Sequence, residues 1–335
     1  MRPKLASIFF IMGGGICLIS RLSSPYILLI LATMFWGGNF TVGKSLVSYV
    51  PPFTMSLIRW SMALIILLPL AWKELAQTKQ IMIKHWKTLI ALSLTGIVAF
   101  NALAYISVQY TTSINASLVN ALSPVLIMLL SLYVLKEKMS KVQILGVFIS
   151  LVGVIWIITK GKIDYLLSLT FNTGDMIMIF AVLAWAVYSV LMRASGTNLP
   201  KTATFFVTIL IGVVILAPFA MWETYSLPSW EHLEAPQYLG LLYIGVFPSI
   251  LSFVFWNKAL FIIGPSKASI FLNFIVLFAS IFSILFLNEK IYPAQVIGGL
   301  LIISGVVLTT NIKLFKSTRG STKVKHQTKE KPSSS

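Results

Sequence analysis

The sequence predicts an all-α membrane protein of ten transmembrane helices, arranged as two inverted five-helix repeats. Three observations lead there. The 335-residue chain is 57% hydrophobic and only 10% charged, too few polar residues to build an aqueous surface. Ten apolar segments come close to or reach the roughly 20 residues that a bilayer crossing needs. The last five of these answer the first five in register.

The spans fall at about 25–43, 53–72, 88–108, 113–135, 141–159, 174–192, 202–221, 237–257, 267–287 and 291–312. Turn chemistry separates them: Pro51-Pro52, "YTTS" at 110–113, "KEKMSK" at 136–141, "FNTGD" at 171–175, "GTNLPK" at 196–201 and "IGPSK" at 263–267. Before them, "LASIFFIMGGGICLIS" at 5–20 follows Arg2 and Lys4. At sixteen residues it is short for a span. It reads as an interfacial leader over 1–24, with a signal-peptide core or an eleventh helix as alternatives. Residues 313–335 are poor in apolar side chains and rich in lysine, a disordered basic tail.

The net charge of +17 does not point to nucleic acid, because the basic residues sit in short loops and the tail. With the N-terminus in the cytoplasm, twenty-one Lys and Arg fall inside, four fall outside, and Arg59 lies within a span. That split orients both termini inward in a cell membrane. Cys17 is the only cysteine, so an intrachain disulfide and a cysteine metal cluster are both excluded.

The repeat is visible at an offset of 152. "NASLVN…SLYVLKEKMSKVQILGVFISLVGV" at 115–154 falls on "KASIFL…SILFLNEKIYPAQVIGGLLIISGV" at 267–306. Glu137-Lys138 meets Glu289-Lys290, Gln143 meets Gln295, Gly146 meets Gly298 and Gly153 meets Gly305. The first spans match at an offset of 149, Trp36 with Trp185 and Lys44 with Arg193. Five spans per half is odd, so 25–159 and 174–312 insert in opposite orientations, joined by an external linker at 160–173. Inverted halves of this kind place a substrate site near the midplane between them.

Ionisable residues within spans are costly and mark function. The nine acids and three histidines all fall in loops, span ends or the tail. Transport driven by a carboxylate relay is therefore not expected, with Asp175 at a span edge as the one candidate to test. The same census argues against an enzyme, which would need clustered acids or a nucleophile with its base. No cofactor is expected. Arg59, about two turns into span two, reads equally as an anchor for an anionic group or as a structural arginine bonding helix-end carbonyls.

Polar stripes run along three spans: Asn101, Tyr105 and Gln109; Ser113, Ser117, Asn120 and Pro124; Ser266, Ser269, Asn273 and Ser280. Helical spacing places each set on one face, and a polar face within a bilayer must look at protein or water. A central cavity is one outcome and interhelical hydrogen bonding the other. In span one, "TMFWGGNFTVGK" at 33–44 puts Trp36 mid-span, not at an interface. Trp36 with Trp185 and Tyr188 would wall the cavity with aromatic surface, and Asn39 would supply hydrogen bonds. Trp256 and Asn257 are further wall candidates. Gly146, Ser150 and Gly153, and likewise Gly298, Ile302 and Gly305, read as helix-packing seams.

These segments resemble the drug/metabolite transporter superfamily, specifically its EamA-type ten-helix carriers. The resemblance covers about residues 25–312 and rests on "FWGGNF", "PPFTMSLIRW", "LSPVLIMLLSLYVLKEK", "GVFISLVGV" and "GGLLIISGV". The second half departs from the pattern, with Val276 opposite Pro124 and "WAVYSV" opposite "WGGNFT". The resemblance implies movement of metabolites or drugs across a cell membrane, mostly export, and does not fix the substrate. With the inverted symmetry, the expectation is a carrier that exports a small metabolite, such as an amino acid, by alternating access. Drugs, nucleosides and lipid-linked groups are the alternative cargoes, and a non-transporting membrane scaffold is the alternative of another kind. The partners expected are a small-molecule substrate and the bilayer, with a homodimer left open and no nucleic acid.

Overall fold

The computed structural model describes residues 24–310, apart from 112, 163, 165, 166, 168, 169, 197, 198, 227–232 and 288–291, and apart from the side chains of 40, 44, 113–115 and 287. The leader up to residue 23, the tail and five residues of the 160–173 linker lie outside the described residues.

The described residues hold ten helices long and apolar enough to cross a membrane. They are α1 Pro25–Leu46, α2 Pro52–Lys84, α3 Trp86–Tyr110, α4 in two segments Ser113–Asn120 and Ser123–Val134, and α5 Lys141–Ile158. The second half holds α6 Thr173–Ala194, α7 Lys201–Ser226, α8 Ala235–Ile263, α9 Pro265–Phe286 and α10 Pro293–Thr310. Local chemistry sets the starts. Pro52 opens α2 in the first turn, where its missing N–H costs nothing. Capping boxes open α5 at Ser140 and Gln143 and α6 at Asn172 and Asp175.

Helix α2 runs past the predicted end at residue 72 to Lys84. Nothing in "KELAQTKQIMIK" breaks a helix, and 33 residues span about 50 Å. Its basic end therefore projects beyond a hydrocarbon core of about 30 Å.

Matched helices of the two halves pack antiparallel, which is the inverted repeat in space. In the α5–α10 seam, Gly146 abuts Gly305 and Thr309, while Gly153 abuts Gly298 and Ile302. The numbers run in opposite directions. In α2–α7, Glu74 accepts a hydrogen bond from the Ala203 backbone N–H at 3.0 Å, and Glu223 accepts from the Thr54 N–H at 2.8 Å and its hydroxyl at 3.0 Å. The 149-residue offset that pairs Trp36 with Trp185 also carries Thr54 onto Ala203, Pro69 onto Pro218 and Glu74 onto Glu223. Each helix thus carries a carboxylate that caps the other's first turn, where backbone amides lack partners.

The irregular backbone is also repeated. A π-helical stretch occupies Ser93–Ala99 in α3 and Phe247–Leu251 in α8. Helix α4 breaks after Asn120, ahead of Pro124, and the matching part of α9, Ile270–Asn273, tightens to a 3-10 turn. Pro124 lacks the N–H that would continue the first segment, and the Ser123 hydroxyl donates instead to the Asn120 carbonyl at 2.6 Å.

Candidate functional site

A cavity of about 600 Å³ lies between the two halves, within the range of small-molecule sites. Trp36 and Asn39 from α1, Arg59 from α2, Phe100, Asn101 and Tyr105 from α3, and Asn120 from α4 line one side. Trp185 from α6, Phe253 from α8, and Ile275, Val276 and Ser280 from α9 line the other. Val47, Ser48, Lys160, Tyr292 and Gln295 stand at its mouth. These lie just past the C-terminal ends of α1 and α5 and around the start of α10, so the cavity opens on that face.

The opposite face is closed. Trp36, Trp185 and Phe253 pack edge to face, with ring centroids 5.3 to 5.8 Å apart. Trp60, Tyr188 and Trp256 continue this cluster away from the cavity. Beyond it, Arg193 donates to the Phe261 carbonyl, and Glu137 accepts from the Ser266 N–H at 3.3 Å at the start of α9.

The glycines of span one explain the close approach of its neighbours. A Cβ on Gly37 would meet the Cβ of Phe278 in α9 at 2.7 Å, and one on Gly38 would strike the Tyr243 hydroxyl of α8. That hydroxyl donates to the Phe35 carbonyl at 3.0 Å. The Trp36 indole N–H donates to the Pro248 carbonyl at 3.0 Å. Pro248 lies in the π-helical stretch of α8, whose widened turn frees that carbonyl.

Arg59 is 2% exposed. Its Nε donates to the Ser249 hydroxyl at 2.8 Å, and its Nη1 donates to Asn101 Oδ1 at 3.0 Å and the Tyr105 hydroxyl at 3.1 Å. The guanidinium also lies 5.1 Å from the Trp60 ring centroid. Two of these partners, Asn101 and Ser249, are anchored at π-helical turns. Asn101 Nδ2 donates to the Gly96 and Ile97 carbonyls, and Ser249 Oγ donates to the Ile244 carbonyl. Arg59 therefore ties α3 of one half to α8 of the other.

Seven of the residues that the sequence singles out meet at this cavity: Trp36, Asn39, Arg59, Asn101, Tyr105, Asn120 and Trp185. Four do not line it. Tyr188 and Asn257 hydrogen-bond to each other, Trp256 is fully buried behind Trp36, and Asn273 turns to Ser150 of α5 at 2.8 Å. Helical spacing gives a shared face but not which neighbour that face meets. The sequence reading missed Phe253, Ser249 and Lys160. Phe253 was findable, since the 152-residue offset sets it opposite Asn101. No sequence signal marks Ser249. Among the described residues no His, Cys, Asp and Glu group could hold a metal ion.

The chain matches the EamA-like transporter family over residues 23–159 and 172–311, one stretch for each half. A Bacillus subtilis (strain 168) protein named uncharacterized transporter YyaM is 30% identical over 288 residues, covering 86% of this chain and 93% of its own. An Archaeoglobus fulgidus protein named uncharacterized transporter is 31% identical over 293 residues, covering 86% of this chain and 98% of its own. A crystal structure superposes with a TM-score of 0.73 at 17% identity, over 86% of this chain and 97% of that one, and shares the fold. With ten apolar helices, two antiparallel halves and a cavity between them, the chain is a multi-pass membrane protein that belongs to the EamA-like transporter family.

Proposed function

We propose that the protein is a secondary carrier that exports small amphipathic metabolites, such as amino acids, by alternating access through the central cavity. One observation carries the reading. The cavity is open at one face, sealed by an aromatic floor at the other, and shared between two halves of inverted orientation. Inverted halves can exchange conformations and so exchange the open face. In this reading the mouth faces outside and both termini lie in the cytoplasm of a cell membrane, an orientation that the Lys and Arg distribution supports.

In this reading Trp36 and Trp185 hold the apolar body of the cargo, while Asn39, Asn101, Tyr105 and Asn120 offer hydrogen bonds. Arg59 anchors an anionic group. Tyr188, Trp256, Asn257 and Asn273 support the wall from behind. The cargo and the bilayer are the partners, the role is not catalytic, and a homodimer is a matter for measurement. Counterflow of labelled amino acids in liposomes tests the reading, since it needs no driving ion. Uptake by the purified protein that is lost in Trp36→Ala is the expected result. A scaffold would show no uptake and would tolerate Trp36→Ala and Arg59→Ala alike. Drugs, nucleosides and lipid-linked groups form the next cargo panel.

A further inference from the structure

We infer that the cavity is built for a net-anionic cargo, and that the membrane potential drives its export. The inference rests on the carrier reading and changes its cargo from zwitterionic amino acids to net anions. Arg59 is 2% exposed and lines the cavity. Its Nε and Nη1 bond only neutral groups, and its Nη2 makes no hydrogen bond among the described residues. A buried charge is costly unless a counter-charge meets it, and among the described residues no carboxylate lines the cavity. The two described buried carboxylates are committed elsewhere, Glu223 to the first turn of α2 and Asp175 to the start of α6. The second cation of the lining, Lys160, stands at the mouth, its Nζ 5.0 Å from the Tyr292 ring centroid. Two positive groups and no negative one give the cavity a potential that gathers anions. A guanidinium with a free nitrogen is suited to a carboxylate, sulfonate or phosphate monoester oxygen.

The same lining has no site that pairs an ammonium with a carboxylate. A zwitterion would leave its cationic end beside aromatic rings and neutral amides, in the field of Arg59. The cavity therefore favours organic monoanions: acids whose nitrogen is absent or acylated, or sulfonates. A complete cycle moves the charge of the cargo. No carboxylate or imidazole among the lining residues takes a proton along, so export of a monoanion from a negative interior runs down the electrical gradient.

The test uses the purified full chain in liposomes of neutral lipid, with the potential clamped by a potassium gradient and valinomycin. The probes share a phenyl ring and are membrane-impermeant: phenylmethanesulfonate, phenylalanine and benzyltrimethylammonium, each labelled. Expected is accumulation of the sulfonate in inside-positive vesicles, about tenfold for each ~60 mV, since 100 mV is worth about 2.3 kcal/mol per charge. Phenylalanine and the cation are expected to lag by tenfold or more. Arg59→Gln is expected to abolish the sulfonate signal and Arg59→Lys to keep part of it, with monodispersity in detergent checking the fold of both. Sulfonate uptake that ignores the clamp, or phenylalanine carried as well as the sulfonate, overturns the inference and leaves the carrier reading standing. Movement of none of the three by the folded protein overturns both.

Discussion

Gly298 and Gly299 are adjacent in α10, and the structure assigns them opposite fates on mutation to alanine. A Cβ on Gly298 would lie 2.5 Å from the Gly153 carbonyl oxygen and 2.5 Å from Ile157 Cγ1. Ordinary C···O contact is about 3.3 Å, so α10 would have to back away from α5 by nearly 1 Å. The obstacle is backbone, which no rotamer change can clear. Overpacking of this kind costs about 1–3 kcal/mol, against a gain of about 1 kcal/mol from replacing a helical glycine. A Cβ on Gly299 meets only Leu277 Cδ1, at 3.1 Å, the movable end of a side chain. With backbone as the obstacle the cost at Gly298 lies in the upper part of the overpacking range, so Gly298→Ala is expected to lose about 1–2 kcal/mol net, and Gly299→Ala to lose nothing or gain up to about 1. At about 2 °C per kcal/mol for a chain of this size, the two variants should separate by roughly 2–6 °C. Thermal unfolding in one detergent, read by tryptophan fluorescence, makes the comparison. Equal midpoints, or a lower midpoint for Gly299→Ala, would refute the antiparallel seam as described.

Three other outcomes follow from named contacts. Glu223→Ala removes the acceptor for the Thr54 N–H and hydroxyl and should cost about 1–2 kcal/mol, in line with a lost helix cap; Glu74→Ala, its mate in the repeat, should cost a comparable amount in the same melting assay. Trp36→Phe gives up the hydrogen bond to the Pro248 carbonyl, about 1 kcal/mol, and should keep most counterflow. Trp36→Ala also removes rings packed against Trp185 and Phe253 and should lose it. Asp175 accepts from Thr111 Oγ1 at 2.6 Å and the Asn172 N–H at 2.9 Å, which is a capping role. Flux by the wild type should be the same with and without a pH gradient, and Asp175→Asn should not change that. A gradient response lost in Asp175→Asn would restore a proton-coupled mechanism.

The sequence carried the fold because the bilayer simplifies the problem. Length, apolarity and Lys/Arg placement bound each span, and an odd number of spans per repeat dictates inversion. Spacing also placed Trp36, Asn101 and Tyr105 toward one cavity. It could not distinguish a face that meets the cavity from a face that meets another helix. Asn273 has the spacing of a lining residue, yet its amide goes to Ser150. Trp256 looks like an equivalent of Trp36 and is packed behind it. The π-helical turns in α3 and α8 were invisible for a different reason. A π-turn adds one residue to a helix without a residue type that requires it. The side chains that bond to carbonyls at these turns, Asn101 to Gly96 and Ser249 to Ile244, are themselves held by a long-range partner, Arg59 of α2, which local sequence does not reveal.

The repeat also separates frame from moving part. In a carrier that works by exchanging the conformations of its halves, a contact made in both symmetric copies survives the exchange. A contact made in one copy alone must break or re-form. The caps at Glu74 and Glu223, and the glycine pairs of α5 and α10, are made in both copies. They belong to a frame that need not move. Arg59 is different. The 149-residue offset sets Thr208 opposite it, and the 152-residue offset sets Phe253 opposite Asn101, Asn257 opposite Tyr105 and Ile97 opposite Ser249. Thr208 spends its hydroxyl on the Phe205 carbonyl of its own helix. The bonds from Arg59 to α3 and α8 thus have no counterpart that could replace them after the exchange. They are the contacts that an arriving anion would compete for, and loosening them frees the two π-turns that they tie together. In this scheme, occupation of the cavity and release of the two halves are the same event at Arg59.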